Sequence, residues 1–308
     1  MSSAFETTYQ QWRRGLDHAD GFRKVFVVGC PKSGTTWLAN LLDAHERIVI
    51  RGEGAFTWQL VPILAQAFQV FNEHQKHMDP VAQLRDLDLL LVARAMIDGQ
   101  FHRYLIESGR DLSRVRVVGD KTPQHTLSMP LLNRLYPGAR FIHILRDPRD
   151  TAVSAWFHFG KSDGRPFETY IEYYLTRVWP LNVGTARQAA PALGGAYTEV
   201  RYEDLVRDPS PQVKRLLAHV GVENGPAAIE GCIAAARFEK KSGGRAPGQT
   251  DNASFYRTGT SGDWRNHIPA DLADRCCASI APLMRACGYE PTAGEKAEAA
   301  PAGGCGAR

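Results

Sequence analysis

The chain is 308 residues long with 44% hydrophobic and 23% charged residues, which provides ample core and excludes a disordered or fibrous class. A net charge of +4 suits a small anionic ligand, but it is too small and too evenly spread to argue for a nucleic-acid surface. Met1 to Gly21 is polar with no apolar leader core, no apolar run approaches the roughly 20 residues of a membrane span, and the six cysteines lack metal or disulfide spacing, so a cytoplasmic protein with reduced thiols is expected.

Val25 to Val28 is a short β-branched run of the kind buried on both faces of a parallel sheet. Gly29 and Gly34 bracket the next turn, and from Thr35 the residues Trp37, Leu38, Leu41 and Leu42 recur at helical spacing. The free N–H groups and positive end of that helix point into the loop, which makes an anion its natural occupant. Gly29 and Gly34 have the Walker spacing G-x-x-x-x-G-K-[ST], but Thr35 stands where the Walker lysine belongs. The lysine lies inside the loop at Lys32, where it can neutralise a single phosphate. Cys30-Pro31-Lys32-Ser33-Gly34-Thr35-Thr36-Trp37 resembles the 5′-phosphosulfate loop of sulfotransferases that use 3′-phosphoadenosine 5′-phosphosulfate (PAPS). The resemblance implies that Lys32, Ser33, Gly34, Thr35, Thr36 and Trp37 contact this co-substrate. Cys30 reads as a small apolar filler under the loop.

Arg47 to Ile50 predicts a second strand ending at Arg51-Gly52-Glu53-Gly54. In a β-α-β unit it runs parallel to the first, so Glu53 faces the same crevice, although a glutamate between glycines also fits a solvated turn. Ala55 to Glu107 reads as two helices. Phe56, Leu60, Ile63, Leu64, Phe68 and Phe71 share one face and Leu87 to Ile106 supply another; both are expected in the core, with capping of the crevice as a further role. Val115 to Val118 is the next strand and delivers Asp120 and Lys121 to the same edge. Lys121 reads as a second cation for the transferring group, against a solvated lysine or a partner for Asp120. His125 reads first as a satisfied or surface histidine.

Phe141 to Leu145 predicts a further strand, and Pro148 suits the first turn of the helix after it. Arg146 and Ser154, eight residues apart, can grip one phosphate, and the pair resembles the 3′-phosphate motif of the PAPS enzymes. Arg149 is expected in surface ion pairs. Phe167 to Val183 is an aromatic-rich helix whose Tyr170, Tyr173, Tyr174 and Trp179 serve mainly packing. Ala196 to Arg201 is extended and leads into Tyr202-Glu203-Asp204-Leu205, which resembles the family Y-E-D-L whose tyrosine helps seat adenosine. Phe238 and Trp37 are candidate faces for the adenine ring. Lys240 to Pro269 is polar, glycine-rich and without periodicity, which suits a functional loop. Within it, Arg257-Thr258-Gly259-Thr260-Ser261-Gly262-Asp263-Trp264-Arg265-Asn266 resembles the R-K-G-x-x-G-D-W-K-N pattern of cytosolic sulfotransferases. That implies a 3′-phosphate clamp from Arg257 and the Gly259 backbone, with Thr258 in place of a lysine. Ala270 to Gly288 predicts a last amphipathic helix.

The expected fold is α/β, a P-loop-type parallel sheet flanked by helices, with a helical cap and a C-terminal lid-like loop. Residues 1–290 read as one sulfotransferase domain and 291–308 as a disordered tail. The resemblance implies an enzyme that moves the sulfuryl group of PAPS to a hydroxyl of a small-molecule alcohol or phenol, with no metal, nucleic acid or membrane. Lys32 with the Thr35 and Thr36 backbone would hold the leaving 5′-phosphate, Lys121 the sulfuryl oxygens, and Glu53 would take the proton. Cytosolic aryl and steroid enzymes carry K-T-H-L-P here with a histidine base, but Pro123 occupies that place; the glutamate after the first helix resembles the tyrosylprotein and Golgi-type branches. A carboxylate serves if partly buried, and Asp120 and His125 stay open as bases. Two other classes compete: a P-loop kinase or NTPase, which would need the Walker lysine, and a non-catalytic phosphoadenosine-binding domain, which would need neither Glu53 nor Lys121.

Overall fold

The computed structural model describes residues 2–76 and 80–292; the expected tail falls, from residue 293 onward, outside the described residues. The elements that position the site are α1 (Ser2–Asp20), β1 (Arg23–Gly29), α2 (Thr35–Asp43), β2 (Ile48–Arg51), α3 (Val61–Gln75), α4 (Asp86–Glu107), β3 (Val117–Lys121), α5 (Met129–Leu135), β4 (Arg140–Leu145), α6 (Pro148–Ala155) and β5 (Tyr197–Arg201). The five strands form one parallel sheet in the order β2-β3-β1-β4-β5. From β1 the chain crosses to the edge strand β2, comes back to β3 beside β1, and then passes to β4 and β5 on the other side of β1. The crevice at that reversal, outside the carboxyl ends of β1 and β4, is where such sheets bind ligands.

Side chains of β1 alternate between two apolar layers, as a strand covered on both faces requires. Val25 and Val27 pack with Leu38 and Leu42 of α2 on one face, and Phe26 and Val28 pack with Phe101 of α4 and Met129 of α5 on the other. A third cluster joins Ala152 and Val153 of α6 to Trp179, Trp264 and Met284, which ties the C-terminal segment to the sheet. None of the helices among the described residues is long and apolar enough to cross a membrane.

Four differences from the sequence reading have physical causes. The polar N-terminus forms helix α1, whose inner side packs on α4; Arg94 of α4 donates to Asp20 and to the Leu135 carbonyl. The strand expected over Val115 to Val118 runs to Lys121, because Asp120 and Lys121 are themselves in ladder register with Phe26 and Val27. The aromatic helix does not stop at Val183: a π turn at Tyr174–Val178 leads directly into a helix over Trp179–Leu193. The expected core stripe on α3 is only half covered, since Ile63 is 64% exposed and Phe71 41% exposed. Helix α3 packs against α4 from outside, and no further layer among the described residues covers its outer side.

Gly119 shows how tightly the sheet centre is built. A Cβ there would lie 2.5 Å from the Val25 carbonyl oxygen and 2.4 Å from Val25 Cγ1. Gly119→Ala should therefore destabilise the fold by about 1–3 kcal/mol, the usual scale of overpacking. Urea unfolding measures this; an unchanged midpoint would contradict the packing described.

Candidate active site

The loop between β1 and α2 is folded by its own backbone. Ser33 N donates to the Cys30 carbonyl at 3.0 Å, Lys32 takes φ 70° and Gly34 φ 102°. Left-handed backbone at a non-glycine residue costs about 1–3 kcal/mol and tends to persist at ligand sites. Gly34 is required twice over, since a Cβ on it would also meet the Tyr202 ring at 2.8 Å. Helix α2 begins with Leu38 N donating to the Gly34 carbonyl, which leaves the N–H groups of Thr35, Thr36 and Trp37 without intrahelical partners. Lys32, Gly34, Thr35, Thr36 and Trp37 all line one cavity of about 820 Å³, whereas Ser33 does not. The Ser33 hydroxyl is buried under the loop against Gly29, with no hydrogen-bond partner among the described residues. Beneath the loop, Tyr174 donates to the Pro31 carbonyl and lies 3.4 Å from the Cys30 sulfur, whose thiol burial pushes up to about 12. Cys30 is the filler expected.

The Lys32 ammonium sits 4.0 Å from the centroid of the Phe255 ring. Burial lowers its pKa to about 8, the cations Arg146 and Lys121 push in the same direction, and Glu53 opposes them.

Arg146, at the end of β4, is 8% exposed. Its guanidinium donates to the Lys32 carbonyl at 3.2 Å and the Thr260 carbonyl at 3.3 Å, and lies 4.5 Å from the Tyr202 ring centroid. Arg146 and Ser154 both reach the cavity. Asp147 caps α6 by accepting from Arg149 N at 2.8 Å, and the Arg149 side chain closes back on it at 2.7 Å. Arg149 is 3% exposed and lies over Trp264 at 4.1 Å, so it is a buried structural residue and not the surface ion-pair former expected. The reason is the segment around Trp264, which folds over α6 and is pinned there by Asp150 accepting from Gly262 N at 2.6 Å and Trp264 N at 2.9 Å.

The residues expected to seat an adenosine converge on the same cavity from β5 onward. The Tyr202 ring meets Trp37 edge-on at 5.3 Å, and Trp37 Nε1 donates to the Ala236 carbonyl at 2.8 Å. Phe238, Arg257, Thr258 and Gly259 line the wall with them. Arg257 is ion-paired with Asp263, lies 4.8 Å from the Phe157 ring and is 7% exposed. Thr258 is buried, and its hydroxyl lies 3.5 Å from Thr260 N.

At the ends of β2 and β3, Lys121 Nζ lies 2.5 Å from Glu53 Oε1. Glu53 is part of the cavity wall, whereas Lys121 is buried, does not itself line the cavity and joins the site only as the partner of Glu53. The Glu53 side chain is 46% exposed, so the burial that would favour a carboxylate base is only partial there. Asp120 and His125 are both fully buried and stand off the wall. Asp120 accepts from Gly54 N at 2.8 Å, Thr122 Oγ1 at 2.6 Å and Tyr104 OH at 3.3 Å. His125 pairs through Nδ1 with Thr57 Oγ1 at 2.9 Å, and its Nε2 lies 3.2 Å from Asp120 Oδ1 without hydrogen-bond geometry. These two residues fasten the turn that bears Glu53.

The wall also holds residues that the sequence reading did not single out, namely Gln124, His158, Phe159, Phe255 and Tyr256. His158 and Phe159 stand on a π turn at Trp156–Gly160 that continues α6, a distortion frequent at functional sites. The aromatic run Trp156-Phe157-His158-Phe159, two residues past Ser154, was the available signal. Among the described residues, no cluster of histidine, cysteine or carboxylate side chains could hold a metal ion.

"Cytosolic sulfotransferase 17" of Arabidopsis thaliana is 26% identical over 299 residues, covering 85% of this chain and 75% of that protein. "Nodulation protein NoeE" of Sinorhizobium fredii is 30% identical over 232 residues, 66% of this chain and 51% of that protein, so the chain spans about half the length of this relative. Among solved structures, mouse sulfotransferase SULT7A1 complexed with PAP has the same fold, with a TM-score of 0.54 at 18% identity over 88% of each chain. The family model described as the sulfotransferase family matches residues 24–226, and the chain belongs to that family.

Proposed function

We propose that the protein is a PAPS-dependent sulfotransferase that acts on a hydroxyl of a small-molecule alcohol or phenol, without a metal. The observation that carries this reading is the convergence of Lys32, Glu53, Arg146 and Arg257 on one cavity of about 820 Å³, with Lys121 paired to Glu53 behind that wall. That volume lies in the range of sites that enclose a ligand of nucleotide size.

The residues present fit PAPS. The Nε atoms of Arg146 and Arg257 are both buried without a hydrogen-bond partner among the described residues. Buried donors of this kind favour an anionic acceptor such as a 3′-phosphate, with Ser154, Thr258 and the Gly259 backbone beside it. Trp37, Tyr202 and Phe238 offer aromatic surface to an adenine. PAPS supplies the sulfuryl group, with its 5′-phosphate as leaving group. Lys32 and the first N–H groups of α2 stabilise negative charge at that phosphate. Lys121 offers its ammonium to the sulfuryl oxygens, and Glu53 accepts the proton of the acceptor hydroxyl. In the free enzyme, Lys121 and Glu53 neutralise one another.

Asp120 and His125 are less suited as bases, because both are fully buried and committed to neighbouring groups. A kinase reading is not supported, since Thr35 replaces the Walker lysine. The aromatic wall of His158, Phe159 and Phe255 supports an apolar or aromatic acceptor. We further propose one catalytic domain over residues 1–290 and a cytoplasmic location, in keeping with the plant relative's name and with five buried unpaired cysteines among the described residues.

Glu53→Gln should leave affinity for 3′-phosphoadenosine 5′-phosphate (PAP) intact while turnover on an alcohol falls about 10²-fold or more. Labelled-PAPS transfer assays with several acceptors decide it; normal turnover in Glu53→Gln with loss in Asp120→Asn would transfer the role to Asp120. Arg146→Ala should weaken PAP binding by about 1.5–3 kcal/mol, and by clearly less for adenosine 5′-phosphate, which lacks the 3′-phosphate. Equal losses for the two nucleotides, by calorimetry, would remove Arg146 from the 3′-phosphate clamp.

Lys32 adds a pH signature. With its pKa near 8 in the free protein, a bound phosphate raises it, so binding takes up protons in the window just above 8 and not near 6.5. PAP affinity should accordingly fall as pH rises through that window. Calorimetry in buffers of different ionisation enthalpy at pH about 8.5 should register uptake of about half a proton or more, and Lys32→Met should abolish it.

A further inference from the structure

The segment 242–261 brings Tyr256, Arg257 and Gly259 to the cavity, yet it contains neither helix nor strand. The carbonyl groups of such a segment need partners that no regular ladder supplies. Five of its acceptors converge on one side chain. Arg245 Nε donates to the Ser242 carbonyl at 3.3 Å, Nη1 to the Gln249 and Arg257 carbonyls at 2.9 Å each, and Nη2 to Ser254 Oγ at 2.8 Å and the Tyr256 carbonyl at 2.5 Å. A guanidinium has five N–H donors, so all of them are committed. Arg245 does not line the cavity; its guanidinium carbon lies 5.5 Å from the ring centroid of Phe238, which does.

We propose that Arg245 is a positioning residue for the 3′-phosphate clamp, an inference that rests on reading the cavity as the PAPS site. By holding the carbonyls of both Tyr256 and Arg257, it sets the direction of the chain on either side of the Arg257 side chain. The folded segment is then joined to the scaffold at separate points. Asn40 of α2 donates to Tyr256 OH at 2.8 Å, and Asp150 of α6 accepts from Gly262 N at 2.6 Å. Two backbone pairs also cross the segment, Gly248 N to the Thr258 carbonyl at 2.8 Å and Asp251 N to the Arg257 carbonyl at 3.1 Å. These ties keep the segment on the protein when Arg245 is changed, but they leave the Tyr256 carbonyl and the Ser254 hydroxyl without their Arg245 donor. Lysine is no substitute, since it presents its donors from one point and lacks the planar fork.

The test compares R245A and R245K with the wild type for binding of PAP and of adenosine 5′-phosphate. Both variants should bind PAP about 10-fold or more weakly, while adenosine 5′-phosphate changes by no more than about twofold. In R245A/R257A the two losses should not add, because one acts through the other. With PAPS as substrate, KM should rise while kcat at saturation changes far less. Unchanged PAP affinity, equal losses on both nucleotides, or fully additive losses would each overturn the proposal. Should R245A lose its thermal transition, R245K carries the same comparison. Wild-type protein that binds no PAP would overturn the PAPS reading itself, a result distinct from any of these.

Discussion

The buried guanidinium of Arg146 is the contact through which the parts of the site hold their spacing. Its two backbone acceptors, the carbonyls of Lys32 and Thr260, each lie 114 residues away in sequence, one in the loop after β1 and one in the C-terminal segment. Its planar face rests on Tyr202 at the end of β5. A charge taken from water costs several kcal/mol unless its surroundings compensate, and Asp150, Glu203 and Asp147 lie close enough to favour its charged form. Lys32 shares this environment and is pushed toward neutrality by it. Cations gathered in a partly dry crevice repel one another weakly through water and strongly through protein, so an anion that enters relieves more than one unfavourable interaction.

The opposite flank of the cavity is organised by a carboxylate that never reaches it. Asp120 spends its oxygens on Gly54 N, Thr122 and Tyr104, and so fixes the turn between β2 and α3 against the last residues of β3. Glu53 and Lys121 are carried on the two pieces thus joined, and their pairing follows from that joint. One acid is buried and holds the turn, while its neighbour is half-exposed at the cavity wall. The C-terminal segment repeats this logic with Asp150, whose carboxylate holds Gly262 and Trp264 over α6 and keeps Arg257 at the cavity wall.

The outer helices obey weaker constraints. Helices α1 and α4 are joined by the contact of Arg94 with Asp20, yet Leu87, Leu91 and Met96 of α4 remain exposed, as do Ile63, Val70 and Phe71 of α3. Apolar spacing at helical period identifies a helix and one potential inner face, but whether a second layer arrives to cover that face depends on the rest of the chain.

The local sequence determined what depends on near neighbours. The apolar runs of β1 and β4, the glycine turn, the α2 start at Thr35 and the Pro148 entry to α6 follow from periodicity, backbone freedom and capping chemistry, all acting within a few residues. The motifs at Lys32, Arg146, Tyr202 and Arg257 were read through their resemblance to the sulfotransferase family, each a short pattern whose residues lie within a few positions of one another. Only the tertiary structure decided the depth of side chains in that frame: Arg149 under Trp264, Ser33 beneath its loop, Asp120 in the core and Glu53 half-exposed at the cavity wall. Burial depends on which distant segment arrives to cover a position, and no local pattern encodes that. The same limit hid Arg245, whose five acceptors lie in a segment without periodicity and become partners only when that segment folds back on itself.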